Sequence, residues 1–536
     1  MDNILRDRVG RQRIYTDEKF IDESNILYVL GKAYTKHCMN VQDMDFLIDY
    51  EAGIHPSIRK RVKKIRSDID YRVVDNIAHY VTRFHVNYFW GTPAMYIQRG
   101  NNEIHRTDAN IDDEGITGLN EMLRNGEDIT YKRQQIAKFV EKTGIGHSMV
   151  DIKLKEEFND DFQLKYFDKQ EGKEHYLDSL CHVYNLDSRY TFCVYHNGVG
   201  NKKVLGVTYV LKEDASRKFT CYTDDTIYEI ENWEITKIYP NPLMAIPIVE
   251  WNRDTDITGC FEHCIEDMDA LDAQSSDIAN DSTQRTQDIW WGHNVGFQTD
   301  ENGETKSPKS GDWVLTYTPQ GLTDRANDAK IAPLASTYDA ASAQNQLYRK
   351  FNHILQKCYV PIQSESSGGG STGSAMDMSA GWSAAELDAL GEQNIIELAA
   401  REELKLILRA IKFVPEDILA VDDPIRQLHH TDIDIHFSRR RNYDLSVKAN
   451  AFATLVGRGI HPRHAVKVCE IFEDSEQVWN DSKEMILAYQ NKVCVGEPVQ
   501  SGGEATDPEK EMGADDRILQ DLSDQVSNSP RLQSGV

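Results

Sequence analysis

The sequence has no apolar run near the roughly 20 residues that a membrane-spanning helix requires. Its N-terminal segment carries scattered charges without an apolar core, so it does not resemble a secretory signal. We therefore expect a soluble protein that stays in the compartment where it is made and has no membrane partner.

Cysteine patterns typical of metal sites are also missing. The nine cysteines are scattered singly, without a CxxC pair, which fits a reducing cytoplasm. Cys260 and Cys264 are one helical turn apart but lack a second pair of ligands. We expect no metal and no cofactor.

The common catalytic motifs are absent. The sequence contains no GxxxxGK[ST] phosphate loop and no HExxH, and the strings GxSxG and GxGxxG occur only inside the Gly/Ser run 368–373, which is neither a nucleophile elbow nor a dinucleotide-binding turn. These absences argue against an enzyme, and we expect no catalytic residues.

Basic residues are scarce relative to acidic ones. Lys and Arg number 60 against 87 Asp and Glu, which gives a net charge of -27. Affinity for DNA comes largely from Lys and Arg that displace counterions from phosphates. The charge therefore argues against a tight DNA binder, but it suits a surface along which DNA slides.

The residue patterns predict a mainly helical α+β chain. Val73, Ile77, Tyr80, Val81 and Phe84 recur at helical spacing, and Trp90-Gly91-Thr92-Pro93 should end that helix with a left-handed glycine. Five later segments are rich in β-branched and aromatic residues and predict strands. They are RYTFCVYH (189–196), KKVLGVTYVL (202–211), KFTCYT (218–223), TIYEIE (226–231) and EITKIY (234–239).

A long acidic helix is predicted from about Gly259 to Trp291. Its apolar stripe is thin, and a helix of about 45 Å cannot be stabilised by such a stripe inside one compact domain. Packing against copies of itself around a ring would supply the missing contacts. The carboxylates proposed to form an acidic wall are Asp267, Asp269, Asp272, Asp277, Asp281 and Asp288.

Further elements follow along the chain. Asn302-Gly303 suits a tight hairpin turn, and Trp313 lies in the same small β module. Helices are predicted at about 337–358 and 383–413, the second with a Ser383–Glu386 capping box. A half-buried strand is predicted at 428–438, and helices with a break at 457–462 at 444–492.

Between the two helices lies a stretch of Gly and Ser with few side chains to pack, which we expect to be a flexible loop. Its residues are Ser364, Ser366, Ser367, Gly368, Gly369, Gly370, Ser371, Thr372, Gly373 and Ser374. Beyond Val495 the polar, acidic composition predicts a disordered tail.

Several segments, in order, resemble the portal proteins of long-tailed double-stranded DNA bacteriophages. VVDN (73–76) with YFWGTP (88–93) is similar to that family's N-terminal helix, and DSRYTF (187–192) to one of its strands. IPIVEWN (246–252), with the helix that follows, gives the strongest match. STGSAM (371–376) stands where the family has its tunnel loop, with Thr372 intruding. In the last similar segment, 433–476, His461-Pro462 departs from the family's pattern.

The resemblance implies a portal fold that assembles as a cyclic ring, usually of twelve subunits. Carried onto this chain, it implies a wing (1–257), a first stem helix (258–292), a clip (293–335), a second stem helix (336–360), a tunnel loop (361–383), a long wing helix and strand (384–440), a helical crown (441–495) and a disordered acidic tail (496–536).

The implied function is a channel at one capsid vertex, built in the host cytoplasm, for packaging and ejection of double-stranded DNA. The implied partners are other copies of the chain, the DNA, the large terminase subunit, the head-tail connector, and the major capsid and scaffolding proteins. The clip is the implied docking surface for the motor. Two alternatives stay open: a metal-dependent nuclease that uses the acidic helix, and another virion component such as a connector or scaffold.

Overall fold

The structure is a computed structural model. It describes residues 10–62, 68–98, 114–158, 162–169, 173–213, 216–285, 290–293, 330–333, 340–362, 381–437, 439, 445–469, 482 and 485. The chain divides into two units, Met1–Arg440 and Arg441–Val536. Asp288, Asn302, Gly303, Trp313, the Gly/Ser-rich loop at 364–374 and the predicted tail all lie outside the described residues.

The first unit combines helices and strands, as the sequence predicts. Its helices include α1 (Ile26–Glu51), α2 (Pro56–Arg59), α3 (Ile77–Phe89), α4 (Glu114–Glu121), α5 (Ile129–Thr143), α6 (Ile265–Arg285), α7 (Ala340–Lys357) and α8 (Trp382–Lys412). Its strands include β1 (Ile14–Thr16), β2 (Met95–Gln98), β3 (Ile145–Ile152), β4 (Lys165–Asp168), β5 (Lys173–Tyr176), β6 (Cys181–Leu186), β7 (Thr191–His196), β8 (Lys203–Leu211), β9 (Arg217–Tyr222), β10 (Thr226–Glu231), β11 (Glu234–Pro240), β12 (Ile248–Asn252), β13 (Trp290–His293), β14 (Lys330–Pro333) and β15 (Ile433–His436).

A six-stranded sheet contains the five predicted strands. Its order is β1-β7-β8-β9-β10-β11, with β1 parallel to β7 and the other neighbours antiparallel. Helix α1 covers one face of it and buries Ile26, Val29, Leu30 and Ala33, which follow one another at helical spacing. The prediction of a β-rich section is confirmed.

A second sheet, β12-β3-β6, is packed against α5 and α8. Trp251 of β12 is fully buried, and its Nε1–H donates to Ser148 Oγ at 2.9 Å. The Ser148 hydroxyl in turn donates to Glu403 of α8 at 2.7 Å, and Arg133 of α5 pairs with the same carboxylate. This buried polar chain fixes α8 on the sheet, because breaking it would leave buried charges unpaired.

Helix α3 differs from its prediction at both ends. Val73 precedes the helix, which begins only at Ile77. Gly91 is absent from the left-handed glycines, so the expected left-handed ending is wrong. Glycine is needed just after the helix for another reason: a Cβ on residue 91 would lie 2.2 Å from the carbonyl oxygen of Asn87.

The acidic helix is shorter than predicted. Helix α6 ends at Arg285, and Trp290 and Trp291 belong to β13, which pairs antiparallel with β14. The prediction of helix up to Trp291 is therefore wrong. Residues 290–293 form their backbone hydrogen bonds with β14 and are a strand. The next helix, α7, packs against α6 and confirms the helix predicted near 337–358.

The last elements of the first unit follow the predictions in part. Helix α8 starts at Trp382 after the left-handed Gly381, without a side-chain cap, so the Ser383–Glu386 capping box is wrong. The strand predicted at 428–438 is regular only over β15, because His430–Asp432 form a turn of 3-10 helix.

Over residues 445–469, the structure describes two helices of the second unit, α9 (Leu445–Gly457) and α10 (Pro462–Cys469). The break between them falls where Gly457 to Pro462 predicts it. Among the helices that the structure describes, none is both long and apolar enough to cross a membrane.

Candidate functional site

The acidic helix α6 is the candidate functional element, and an extended segment lies along it. Three backbone N–H groups at alternate positions of residues 71–75 donate to three side chains spaced one helical turn apart. The pairs are Tyr71 with Asn280 (2.8 Å), Val73 with Ser276 (3.0 Å) and Asp75 with Asp272 (2.9 Å).

The spacing explains this match. Two residues of extended chain advance about 6.6 Å and four residues of helix about 6.0 Å, so the two repeats stay nearly in phase over three contacts. The segment lies outside any sheet, and the helix side chains therefore serve as its hydrogen-bond partners. One face of α6 is consequently used for binding its own subunit.

Asp272 also forms a buried pair with His55. The His55 Nδ1 lies 2.5 Å from Asp272 Oδ2, and its Nε2–H donates to the Tyr50 carbonyl at 3.1 Å. The ring of Tyr50 stacks on His55 at 3.8 Å between centroids. Asp272 is 1% exposed and thus lies inside the subunit. Its predicted place in an exposed acidic wall is wrong, because a carboxylate that repels passing phosphates has to reach solvent.

The other carboxylates of α6 are more accessible, and two of them pair with cations of the same subunit. Asp267 lies 2.6 Å from Lys357 of α7, and Asp277 lies 2.6 Å from Arg61. These pairs reduce the net negative charge of the helix. Each such exposed pair contributes only about 0.2–1 kcal/mol to stability. That Asp267, Asp277 and Asp281 line a bore stays a prediction.

Asp269 is bound to the interior of the subunit through Tyr50, whose hydroxyl donates to it at 3.0 Å. One ligand-type atom from each of His55, Asp269 and Asp272 lies within 4.8 Å of the others. The hydrogen bonds to Tyr50 and Asp75 already engage these three side chains. The arrangement therefore needs no ion to hold it together.

The N-terminal end of α6 and the C-terminal end of α7 share an apolar core with α1 and α3. Phe261, Met268 and Ile354 are buried there, with Tyr50 and Val81 from the N-terminal helices. The thin apolar stripe predicted for α6 is thus covered at its N-terminal end by the same subunit. Apolar contacts from neighbouring subunits are therefore needed only by the part of α6 that lies beyond this covered N-terminal end.

A second buried charged cluster fastens α8 to α5. Arg253 Nε–H donates to Glu141 at 3.2 Å, and its guanidinium lies 2.7 Å from Asp388. Glu392, 4% exposed, has no hydrogen-bond donor for either carboxylate oxygen within the described residues. Burial and then the adjacent Glu141 raise the pKa of Glu392 well above its ordinary value.

Sequence reasoning missed the partners of α6. His55, Tyr50, Arg61 and Lys357 were not identified as site residues, although the polar series at 272, 276 and 280 repeats at every helical turn. Such a polar series on a buried face is a signal for a bound backbone segment. The eight cysteines within the described residues are free thiols.

Comparisons with known proteins give three results. No curated protein matches the chain. A solved structure described as "Neck of empty GTA particle computed with C6 symmetry" contains a similar chain, with 11% identity, a TM-score of 0.39, and coverage of 79% of this chain and 90% of that one. The family model for "Phage portal protein, SPP1 Gp6-like" matches residues 31–492, which include α1 through α10 apart from the first residues of α1. The chain therefore belongs to the phage portal protein family of the SPP1 Gp6-like type.

Proposed function

We propose that the chain is the ring subunit of a viral portal, assembled from twelve copies at one vertex of the capsid. Double-stranded DNA passes through the central channel during packaging and ejection. The observation that carries the proposal is the family match over residues 31–492. In this function the chain is a structural component and performs no chemistry.

The stem of the ring is the α6–α7 pair. One face of α6, as far as Asn280, is attached to its own subunit through Tyr50, His55 and residues 71–75, so the exposed side of α6 is available to neighbouring copies or the bore. The wall carboxylates in this proposal are Asp267, Asp269, Asp277, Asp281 and Asp288, without Asp272. Residues 361–383 form the tunnel loop, whose Gly and Ser content lets it follow moving DNA.

The clip at 293–335 docks the large terminase subunit and then the head-tail connector. The β13–β14 pair fits the base of such a module, because its two strands lie at the two ends of the clip in the sequence. The wing and crown meet the major capsid and scaffolding proteins. Assembly takes place in the host cytoplasm.

Electron microscopy of the purified full-length chain tests ring formation. We expect closed rings with a central hole. Monomers or open filaments under all conditions would overturn the proposal.

The acidic wall is tested by changing Asp277, Asp281 and Asp288 together to Lys. Because DNA carries one charge per about 1.7 Å, added cations turn a sliding surface into a binding one. We expect assembled variant rings that package DNA more slowly, with partial recovery at higher salt. Normal packaging by assembled variant rings at low salt would refute the wall, though not the portal function.

A metal-dependent nuclease is the alternative. Two-metal sites draw carboxylates from separate elements around a cleft. On α6, by contrast, Asp267 and Asp277 pair with Lys357 and Arg61. Incubation of the purified chain with DNA and Mg²⁺ separates the two functions, since a portal leaves the DNA intact and a nuclease cleaves it.

A further inference from the structure

Three potential metal ligands converge where the three-stranded sheet meets the six-stranded sheet. His147 on β3 and Glu250 on β12 are directly opposite each other in the antiparallel ladder. Cys193 comes from β7 of the six-stranded sheet. A ring nitrogen of His147, the Cys193 sulfur and a Glu250 carboxylate oxygen all lie within 4.8 Å of one another.

The hydrogen bonds around His147 favour one of its two neutral tautomers. The Ser188 hydroxyl donates to the Ile145 carbonyl at 3.3 Å, so its oxygen accepts from His147 Nδ1–H at 2.9 Å. With the hydrogen on Nδ1, the Nε2 atom keeps a free lone pair.

That lone pair is buried and unused. His147 is 2% exposed, and its Nε2 has no hydrogen-bond partner in the part of the chain that the structure describes. An orphaned buried nitrogen is uncommon in native proteins and calls for a partner such as an ion or a water. A histidine whose other nitrogen donates to an oxygen is also the usual form of a metal-bound imidazole.

The space beside these residues suits one small ligand. A cavity of about 20 Å³ is lined by His147, Cys193, Glu250 and Ser188, and a single water needs roughly 10–15 Å³. Arg13, with 38% of its side chain exposed, lies 3.8 Å from the Glu250 carboxylate at the solvent side. Lys203 is occupied by Glu402 at 2.7 Å and the Ile248 carbonyl at 2.8 Å.

The charges balance for a divalent cation. Without a metal, Cys193 is a buried free thiol. A bound cation releases the thiol proton to solvent and leaves a thiolate beside the Glu250 carboxylate. Two negative ligands and a neutral imidazole then match a 2+ ion.

We propose that His147, Cys193 and Glu250 bind one zinc-class divalent cation, which fastens the three-stranded sheet to the six-stranded sheet. Nitrogen, sulfur and carboxylate ligands together are typical of Zn²⁺, with water as the fourth ligand. Bonds of about 2.0–2.3 Å place tetrahedral donors about 3.3–3.8 Å apart, so a side-chain movement of about 1 Å completes the site.

The test uses the purified full-length chain, stripped with chelator and then titrated with Zn²⁺ or Co²⁺. We expect one Zn²⁺ retained per subunit, a rise in the unfolding temperature with Zn²⁺, and a thiolate-to-cobalt absorption band in the near ultraviolet. Cys193→Ser should remove the band, and Ser188→Ala should weaken binding about 10–100-fold. Cys221→Ser is the matched control, because Cys221 is also a buried cysteine of the six-stranded sheet but is not among the clustered ligands.

Glu250→Gln provides a second variant that keeps the size of the side chain, in case Cys193→Ser does not fold. It should lower Zn²⁺ affinity at least about tenfold. No thiolate–cobalt band in the unmodified chain would overturn the proposal and leave a buried water as the partner of His147. Retention of the band in Cys193→Ser, or equal Zn²⁺ affinity in Glu250→Gln, would overturn it as well.

Discussion

Asp272 and Asp277 are five residues apart on α6, yet the structure gives them different environments. Asp272 is buried, pairs with His55 at 2.5 Å and accepts the N–H of Asp75 at 2.9 Å. Asp277 pairs with Arg61 at 2.6 Å with 58% of its side chain exposed. The two alanine variants should therefore differ strongly in stability.

The expected magnitudes follow from burial. Removing one partner of a buried pair costs about 3–5 kcal/mol, because the other partner stays desolvated. Asp272→Ala also leaves the Asp75 N–H without its acceptor, which costs a further 1–3 kcal/mol or so if that group stays dry. Asp277→Ala removes an exposed pair worth about 0.2–1 kcal/mol.

Two measurements check this contrast. The first is urea unfolding followed by circular dichroism, where Asp272→Ala should lower the free energy of unfolding by at least about 3 kcal/mol. The second is hydrogen–deuterium exchange of the peptide that covers residues 68–76, which should exchange faster in Asp272→Ala but not in Asp277→Ala. Equal effects of the two substitutions on both readouts would refute the reasoning that α6 binds this segment through its buried face.

Three further predictions concern other parts of the chain. Burial and Glu141 raise the pKa of Glu392, so the folded state keeps a proton that the unfolded state loses above about pH 4.3. The free energy of unfolding therefore falls as the pH rises, by up to about 1.4 kcal/mol per pH unit. Glu392→Gln should unfold at a higher temperature than the unmodified chain at pH 8 and at nearly the same temperature at pH 5. Gly91→Ala should destabilise by about 1–3 kcal/mol in urea unfolding, whereas its control Gly391→Ala, with nothing within 4 Å of the added Cβ, should be neutral or stabilise by about 0.5–1 kcal/mol. Replacing residues 300–310 by a Gly/Ser linker should leave rings intact in electron microscopy and abolish packaging; DNA entry at the normal rate would remove the clip as the docking surface.

The strands could be predicted closely because their signal is local. Alternating β-branched residues between polar turns placed the ends of β7 to β11 within one residue, apart from two extra residues at the start of β7. Helix α8 was predicted equally well from its apolar period. Helix ends were predicted less well: just after α3, glycine is needed at position 91 because a Cβ there would lie 2.2 Å from the Asn87 carbonyl oxygen, and not because its backbone is left-handed. Propensity rules describe average helix ends, and this one depends on a single close approach.

Site residues could be predicted only where their role follows from composition. The acidic character of α6 is visible in the sequence, but composition cannot separate a buried Asp272 from an exposed Asp277. That distinction depends on His55 and Asp75, which lie 217 and 197 residues away along the chain. His147, Cys193 and Glu250 come from three strands of two sheets, and no spacing rule brings them together.

The proposed portal function requires α6 to serve two purposes. A helix that lines a moving substrate needs an exposed face that does not bind the substrate tightly, and it also needs to be held rigidly in its own subunit. Asp272, Ser276 and Asn280 hold the helix in place by binding residues 71–75. Because they are spaced four residues apart, they occupy one narrow face of α6. The remaining faces keep carboxylates such as Asp277 at the surface. The attached face uses short polar side chains that bind backbone N–H groups, so it needs no apolar core along the whole length of α6. Acidic and polar residues can therefore occupy both the attached face and the exposed face of the helix.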